Sequence, residues 1–329
     1  MGRMLLQWNH KIFGVEQNSF ESLALEIFQF QYGNNPVYKA FADALQKDQG
    51  TVQSVTEIPF LPVEFFKSHM VKTTSFEPEI VFESSGTTSK LTGKHFVKEP
   101  AYYEESFTKG FEFFYGPVKD YCILCLLPSY LERGNSSLVY MADKLIRQSG
   151  HPQSAFYLHD TDRLASVLKE VEEKQQKIIL LGVLFALLDF AEKFPMPLKN
   201  TQVMETGGMK GRRKELIRSE AHDILKKNFD LPAIHSEYGM TEMLSQAYSK
   251  SNGIFQAPPW LRVLVRDEAD PLQVTTDGKG AINIIDLANV YSCSFIATDD
   301  AGIVYKDGSF EVSGRMDNSD LRGCSLMVV

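Results

Sequence analysis

Residues 82–94 read FESSGTTSKLTGK: an apolar approach, then serine, threonine and glycine in succession, closed by Gly93 and Lys94. A glycine among clustered hydroxyls lets successive backbone N–H groups turn toward one point, and such a nest binds phosphate oxygens. The Gly-x4-Gly-Lys-Ser/Thr spacing of a P-loop is absent. An exposed Ser/Thr loop accounts for the stretch as well; Val81-Phe82 just ahead points to a strand that delivers it. In METGGMKGRR (204–213), Gly207 and Gly208 let a flat ligand lie against bare backbone, or simply form a turn ahead of a helix. SEYGMTEM (236–243) sets Tyr238, Gly239, Thr241 and Glu242 together: an aromatic face, a hydroxyl and a carboxylate, or else a half-buried strand end. ATDDAG (297–302) and SGRMDNSDLRG (313–323) add carboxylates and Arg315 near strand ends, where hairpin turns and surface charge are the plainer reading.

The four cysteines differ. Cys122 and Cys125 form a C-x-x-C inside YCILCLLP, an apolar run that reads as a core strand, not as the helix opening that lowers a redox thiol pKa. Cys293 in YSCSF reads likewise as packed in a strand. Cys324, after Arg322-Gly323 near the last residue, has few neighbours to bury it. A neighbouring cation favours the thiolate, so it suits a nucleophile; the alternative is an inert exposed thiol.

Elements must position these groups. FESLALEIFQFQYG and NPVYKAFADALQK carry apolar residues at three- and four-residue spacing, so the first 75 residues read as largely helical. From 118 to 235, strands alternate with helices: YCILCLL and KIILLGVL are buried strands, and NSSLVYMADKLIRQSG is a helix capped at Asn135 or Ser136 and stopped at Gly150. TDRLASVLKEVEEKQQ is amphipathic, with Thr161 or Asp162 as its cap. This alternation predicts an α/β fold with a mainly parallel, helix-covered sheet. After about 255, short strands between Asp277-Gly278, Gly280 and Asp307-Gly308 follow antiparallel hairpin grammar, a small barrel or sheet beside the α/β part. The expected organisation is one large domain over 1–329, divided into a helical and α/β part (1–255) and a β-rich subdomain with a flexible tail (256–329).

Composition excludes several classes. The 329 residues hold 34 Lys and Arg against 42 Asp and Glu, a formal charge of −8, with no basic block, which argues against nucleic-acid binding. The longest apolar run, IILLGVLFALL (178–188), is too short to span a bilayer and fits a buried strand running into a buried helix. MGRMLLQWNH is no secretory signal and fails the myristoylation pattern, and Cys324 is misplaced for a prenylation box. Four cysteines in such a chain make no disulfide framework. A soluble cytoplasmic protein is expected.

The five stretches, in this order, resemble the adenylate-forming superfamily of acyl-CoA synthetases, luciferases and adenylation domains. Its motifs stand here as Ser85-Gly86-Thr87-Thr88-Ser89, Gly207-Gly208, Tyr238-Gly239-Met240-Thr241-Glu242, Asp299, and Gly314-Arg315-Met316-Asp317. TGGMKGRR, PSYLERGNSSLVYM and NSDLRGCSL are most similar to the long-chain-fatty-acid–protein ligases, the acyl-protein synthetase component of the fatty-acid reductase complex. The resemblance implies the large N-terminal domain of the adenylate-forming fold, ATP and Mg²⁺ as cofactors, and a carboxylic acid, expected to be fatty, as substrate. An acyl reductase and an acyltransferase are the implied partners. It assigns residues 84–89, beginning with Ser84, to the β- and γ-phosphates, and Gly207, Gly208 and Tyr238 to adenine. Thr241 falls to phosphate, Glu242 to Mg²⁺ and Asp299 to the ribose hydroxyls, with Arg315 assisting. Members of that family acylate their own cysteine near the C-terminus, and Cys324 is the match.

Departures accompany the resemblance. Ser89 and Leu91 replace the usual Gly and Pro. The sequence stops just after the superfamily's hinge, itself one residue short here, so the small C-terminal domain and its catalytic lysine are expected to be absent. Lys90, Lys94, Lys210, Arg212 and Arg213 are candidate substitutes. Three functions compete: an ATP-dependent acyl-protein ligase with Cys324 as acceptor, a truncated acyl- or aryl-CoA ligase, and a non-catalytic nucleotide-binding subunit of a reductase complex. Retained Glu242, Asp299 and Arg315 argue against the last.

Overall fold

A computed structural model describes residues 2–84, 92–128, 134–207 and 216–316, with side chains from Trp8 onward. Its centre is a run of parallel strands, Tyr121–Leu126, Lys177–Val183, Thr201–Thr206 and His235–Tyr238, flanked by the short Ala155–Phe156. Every residue of Tyr121–Leu126 is buried, as expected of a parallel strand covered on both faces. Side chains alternate along it. Cys122, Leu124 and Leu126 enter a core with Leu164, Leu187 and Phe229, whereas Ile123 and Cys125 enter the larger core that holds Tyr103 and Phe107. An odd spacing on a strand thus sends the two cysteines to opposite faces, which confirms them as small core residues and not a redox pair.

The helices follow from their punctuation. Ser136 Oγ accepts the Val139 N–H to open Ser137–Ser149, and Gly150 ends it. The helix Thr161–Glu173 is capped by Asp160, whose carboxylate accepts from the Arg163 N–H, one residue ahead of the two expected caps. The long apolar run divides as expected, Lys177–Val183 passing directly into the helix Leu184–Lys193. At the N-terminus, helices Phe20–Asn34 and Pro36–Ala44 match the periodicity and Gly2–Phe13 precedes them, but beyond Ala44 most of the chain to 79 is turn, interrupted by Leu61–Pro62 and Phe65–Ser68.

The antiparallel strands do not form a separate sheet. His235–Tyr238 pairs antiparallel with Ala247–Ser249, and the ladder runs on through Ile254–Gln256, Phe310–Arg315, Phe295–Val304, Gly278–Asp286 and Leu261–Arg266, giving one sheet of 13 strands among the described residues. The hairpin grammar read this region's strands correctly but is silent on their edge, which pairs with the parallel strands. Gln31 donates to the Asn289 and Val290 carbonyls, and Asn35 to that of Ser292, fixing the N-terminal helices to the 286–294 segment. No helix among the described residues is long and apolar enough to cross a membrane.

Candidate active site

The Ser/Thr stretch is carried by a hairpin. Ile80–Glu83 pairs antiparallel with Lys94–Val97, with Glu83 opposite Lys94. Beyond that pair the Ser84 N–H donates to the Gly93 carbonyl (2.9 Å) and the Gly93 N–H donates to Ser84 Oγ (2.8 Å), so the loop hangs from a closed base. Gly93 lies against Glu242: a β-carbon there would stand 2.6 Å from Glu242 Oε1 and 3.1 Å from Ser84 Oγ. Ser85, Gly86, Thr87, Thr88 and Ser89 lie outside the described residues, as do Lys90, Lys210, Arg212 and Arg213. Lys94 is exposed and stands 3.8 Å from Glu83.

The turn bearing Thr241 and Glu242 is held by buried polar groups on three sides. His95 Nδ1 lies 2.8 Å from the Thr241 carbonyl, and Asn289 Nδ2 donates to the Glu242 carbonyl (2.7 Å) and to that of Cys293 (2.8 Å). Asp286 accepts from the Leu244 and Ser245 N–H groups (2.7 and 3.0 Å) and from Ser245 Oγ (2.6 Å). Asn289 Oδ1 faces His95 Nε2 at 3.0 Å, so both ring nitrogens meet oxygen acceptors. Those contacts favour the charged ring and burial opposes it; burial is the larger effect and pushes the pKa down to about 4. A neutral ring donates to one of the two oxygens. Burial pushes the Asp286 carboxyl up to about 6, against four hydrogen bonds that favour its ionised form. Glu242 itself is only 6% exposed, and burial raises its carboxyl while the charges of Lys67 and Arg315 pull it back.

The third group gathers at the ends of the parallel strands. Thr206 pairs with Glu237, so Gly207 follows beside Tyr238. Tyr238 Oη donates to Asp300 Oδ2 (2.8 Å), and its ring meets Phe255 and Phe310 edge-on. Behind it, buried Glu237 accepts from Thr206 Oγ1, and burial drives its carboxyl up to about 7. Gly239 packs closely on this carboxylate: a β-carbon would stand 2.7 Å from Glu237 Oε1 and would have to displace it. Asp299 shares a hydrogen bond with Glu64, whose carboxyl is raised first by burial and then by that contact. Arg315 pairs across the ladder with Asp300 and is within electrostatic reach of Glu242 and Tyr238.

A family model described as acyl-protein synthetase, LuxE, matches residues 13–329. The chain belongs to that family. No curated protein matches this LuxE chain by sequence. Among solved structures it is similar to ATP-bound MatB from Rhodopseudomonas palustris, at 15% identity and TM-score 0.54 over 71% of this chain and 47% of that one. The luciferase-like enzyme of the nonluminescent Zophobas morio mealworm matches at 14% identity and TM-score 0.51, over 75% of this chain and 60% of its own. The long-chain-fatty-acid-CoA ligase FadD1 from Archaeoglobus fulgidus matches at 15% and 0.50, over 72% and 51%. The likeness is one of fold, the adenylate-forming fold expected from the motifs, and the chain spans about half the length of most of these structures.

In this LuxE chain the described members of the expected site, Ser84, Gly207, Tyr238, Gly239, Thr241, Glu242, Asp299 and Arg315, are linked by the contacts above. Gly208 and Cys324 lie outside the described residues. Sequence reading missed His95, Asp286 and Asn289, which hold the Glu242 turn, and Glu64 and Lys67, which face Asp299 and Glu242. Asp300 and Gly93 stood in quoted stretches without a role. Among the described residues no group of three His, Cys, Asp or Glu side chains is arranged to hold a metal ion. Among the described residues, Glu242 places a carboxylate against the loop base, the kind of oxygen donor that Mg²⁺ takes together with substrate phosphates.

Proposed function

We propose that this chain activates a carboxylic acid with ATP, forming an acyl-adenylate and pyrophosphate, and then transfers the acyl group to Cys324. The observation that carries the reading is the seating of the loop base, Ser84 and Gly93, directly against the buried Glu242 carboxylate. The base of a Ser/Thr-rich loop beside an anionic oxygen ligand suits a nucleotide triphosphate with its metal, and membership of the acyl-protein synthetase family agrees.

In this account a carboxylate oxygen of the acid attacks the α-phosphorus. That O–P bond forms as the bond to the bridging oxygen breaks, and pyrophosphate leaves with the electron pair. A Mg²⁺ held by Glu242 would supply charge neutralisation at the phosphates. The loop from Ser84 fixes the phosphates, Gly207 and Tyr238 confine adenine, and Asp299 with Arg315 orients the ribose, so catalysis is chiefly positioning. The Cys324 thiolate then attacks the acyl carbon, and AMP departs with its electrons. Cys122, Cys125 and Cys293 are all fully buried, and burial raises all three thiols, Cys122 to about 11 and Cys293 to about 12. They are poor nucleophiles, which favours Cys324 as acceptor.

A fatty acid as substrate, a cytoplasmic setting, and onward transfer to a reductase with an acyltransferase partner complete the proposal, on the strength of the family alone. The test of activation is acid-dependent exchange of labelled pyrophosphate into ATP. The chain should catalyse exchange with at least one fatty acid, and Glu242→Gln should lower it about a hundredfold. Equal exchange with and without acid would sink the reading.

A further inference from the structure

The positive charge at the reacting centre has a candidate outside every recognised motif. Leu61–Pro62 pairs parallel with the strand Phe295–Val304, Leu61 opposite Ile296 and Pro62 opposite Ala297, and the Val63 N–H donates to the Ala297 carbonyl at 3.0 Å. This register carries Glu64 to Asp299, with which it shares a hydrogen bond. The chain then makes the short helix Phe65–Ser68, and Phe66 sets its ring edge-on to His95 (6.1 Å, 89°), the residue beneath the Thr241 carbonyl. Lys67 follows, one turn from Glu64 and on the same side of the helix.

Resting on the adenylation reading above, we propose that Lys67 is a catalytic residue that contacts the acid's carboxylate and the α-phosphate as they react. Its side chain is exposed and makes no hydrogen bond or ion pair with any described residue. Its charge reaches two carboxylates, Glu64, which meets Asp299, and Glu242, which lies against the loop base. The other nearby cations are committed elsewhere. Arg266 donates to the Ile282 and Thr298 carbonyls and to Asn283 Oδ1, and Arg315 acts on Asp300 and Tyr238 as well as on Glu242. Lys94 stands beside Glu83 on the hairpin.

The ammonium keeps its proton throughout. As the O–P bond forms and pyrophosphate leaves, Lys67 offsets the repulsion between the anionic carboxylate and the anionic phosphate and stabilises charge on the non-bridging oxygens. Chemical complementarity follows: the site takes an acid in its ionised form.

The test compares the full chain with Lys67→Met and Lys67→Arg in single-turnover formation of acyl-adenylate, at saturating ATP, Mg²⁺ and a fatty acid. Lys67→Met should slow that step about a hundredfold, as loss of one transition-state donor does, with little change in KM for ATP, and Lys67→Arg should recover most of the rate. Acyl transfer to Cys324 from a supplied acyl-adenylate should be unaffected by either substitution. An unchanged rate in Lys67→Met overturns the proposal, as does equal slowing of both steps, which would make the effect one of shape. If the unsubstituted chain forms no acyl-adenylate from any acid, the adenylation reading itself fails, and the role of Lys67 falls with it.

Discussion

Gly93 and Glu242 are in backbone-to-carboxylate contact: a β-carbon on Gly93 would stand 2.6 Å from Glu242 Oε1. The base of the Ser/Thr loop and the buried carboxylate therefore leave no room for a side chain between them. Gly93→Ala must push aside the Glu242 carboxylate, a side-chain end that can give way, so the substitution disturbs the site more than the fold. Displacement of about 1 Å at a reacting centre lowers turnover about a hundredfold. Acylation rate should fall far more than the melting temperature does; a variant with parental rate would separate the loop from the carboxylate's function.

Asn289 positions Glu242 without reaching any ligand. Its amide donates to the Glu242 and Cys293 carbonyls and its oxygen faces His95. Asn289→Ala orphans two buried carbonyls, at about 1–3 kcal/mol each. Chemical denaturation should report that loss, and pyrophosphate exchange should fall with it. Asn289→Asp, which keeps the shape but loses both donated bonds, should fare no better; full stability in either variant would show the turn to be held from elsewhere.

How much of this was legible beforehand depends on range. The strands Tyr121–Leu126 and Lys177–Val183, the cap at Ser136 and the stop at Gly150 are local consequences of apolar runs and capping chemistry. Gly207, Tyr238 and Glu242 stood out as candidates because each stretch groups unusual residue types within a few positions. Lys67 and Glu64 were not, because their meaning depends on a two-residue strand, Leu61–Pro62, that pairs with Ile296 and Ala297 far along the chain. The polar residues His95, Asp286 and Asn289 were invisible for the same reason: each looks like an ordinary residue at or just beyond a strand end until the fold gathers them around one turn. The misplaced cap at Asp160 is a smaller case, three adjacent residues all able to cap and backbone geometry choosing the first.

Glu237 gives the fold a pH signature. Its buried carboxyl is raised from 4.5 to about 7, so between those values the folded chain holds a proton that the unfolded chain has lost. Its contribution is fully present below pH 4.5 and lost as pH rises through about 7, a total of about 3 kcal/mol at 1.36 kcal/mol per pH unit. Glu237→Gln still accepts from Thr206 and removes the titration. Relative to the parent, the variant should gain stability in denaturant unfolding between pH 5 and pH 8; parallel curves across that range would contradict the raised carboxyl.

The thiols should differ in reactivity. Cys122, Cys125 and Cys293 are each fully buried, so brief alkylation of the folded chain should leave them unmodified and label Cys324 alone. Peptide mapping reads the outcome directly. Modification of Cys122 or Cys293 at the same rate as Cys324 would remove the reason for choosing the acceptor by accessibility.

Tyr238, proposed above to confine adenine, donates its hydroxyl to Asp300 Oδ2 at 2.8 Å. Tyr238→Phe keeps the ring and should alter ATP affinity by less than about threefold, whereas Tyr238→Ala should weaken it about tenfold, a stacking loss of about 1.4 kcal/mol. Calorimetric titration with ATP distinguishes the two, and equal affinity in all three chains would move adenine away from this ring.

The central claim is that ATP-activated acid ends on Cys324. The most direct measurement is the intact mass of the chain after incubation with ATP, Mg²⁺ and fatty acids of graded length, beside Cys324→Ala. One added acyl group that depends on ATP and is absent from Cys324→Ala is the predicted result. An acyl group that persists in Cys324→Ala, or free coenzyme A acylated equally well by both chains, would contradict it.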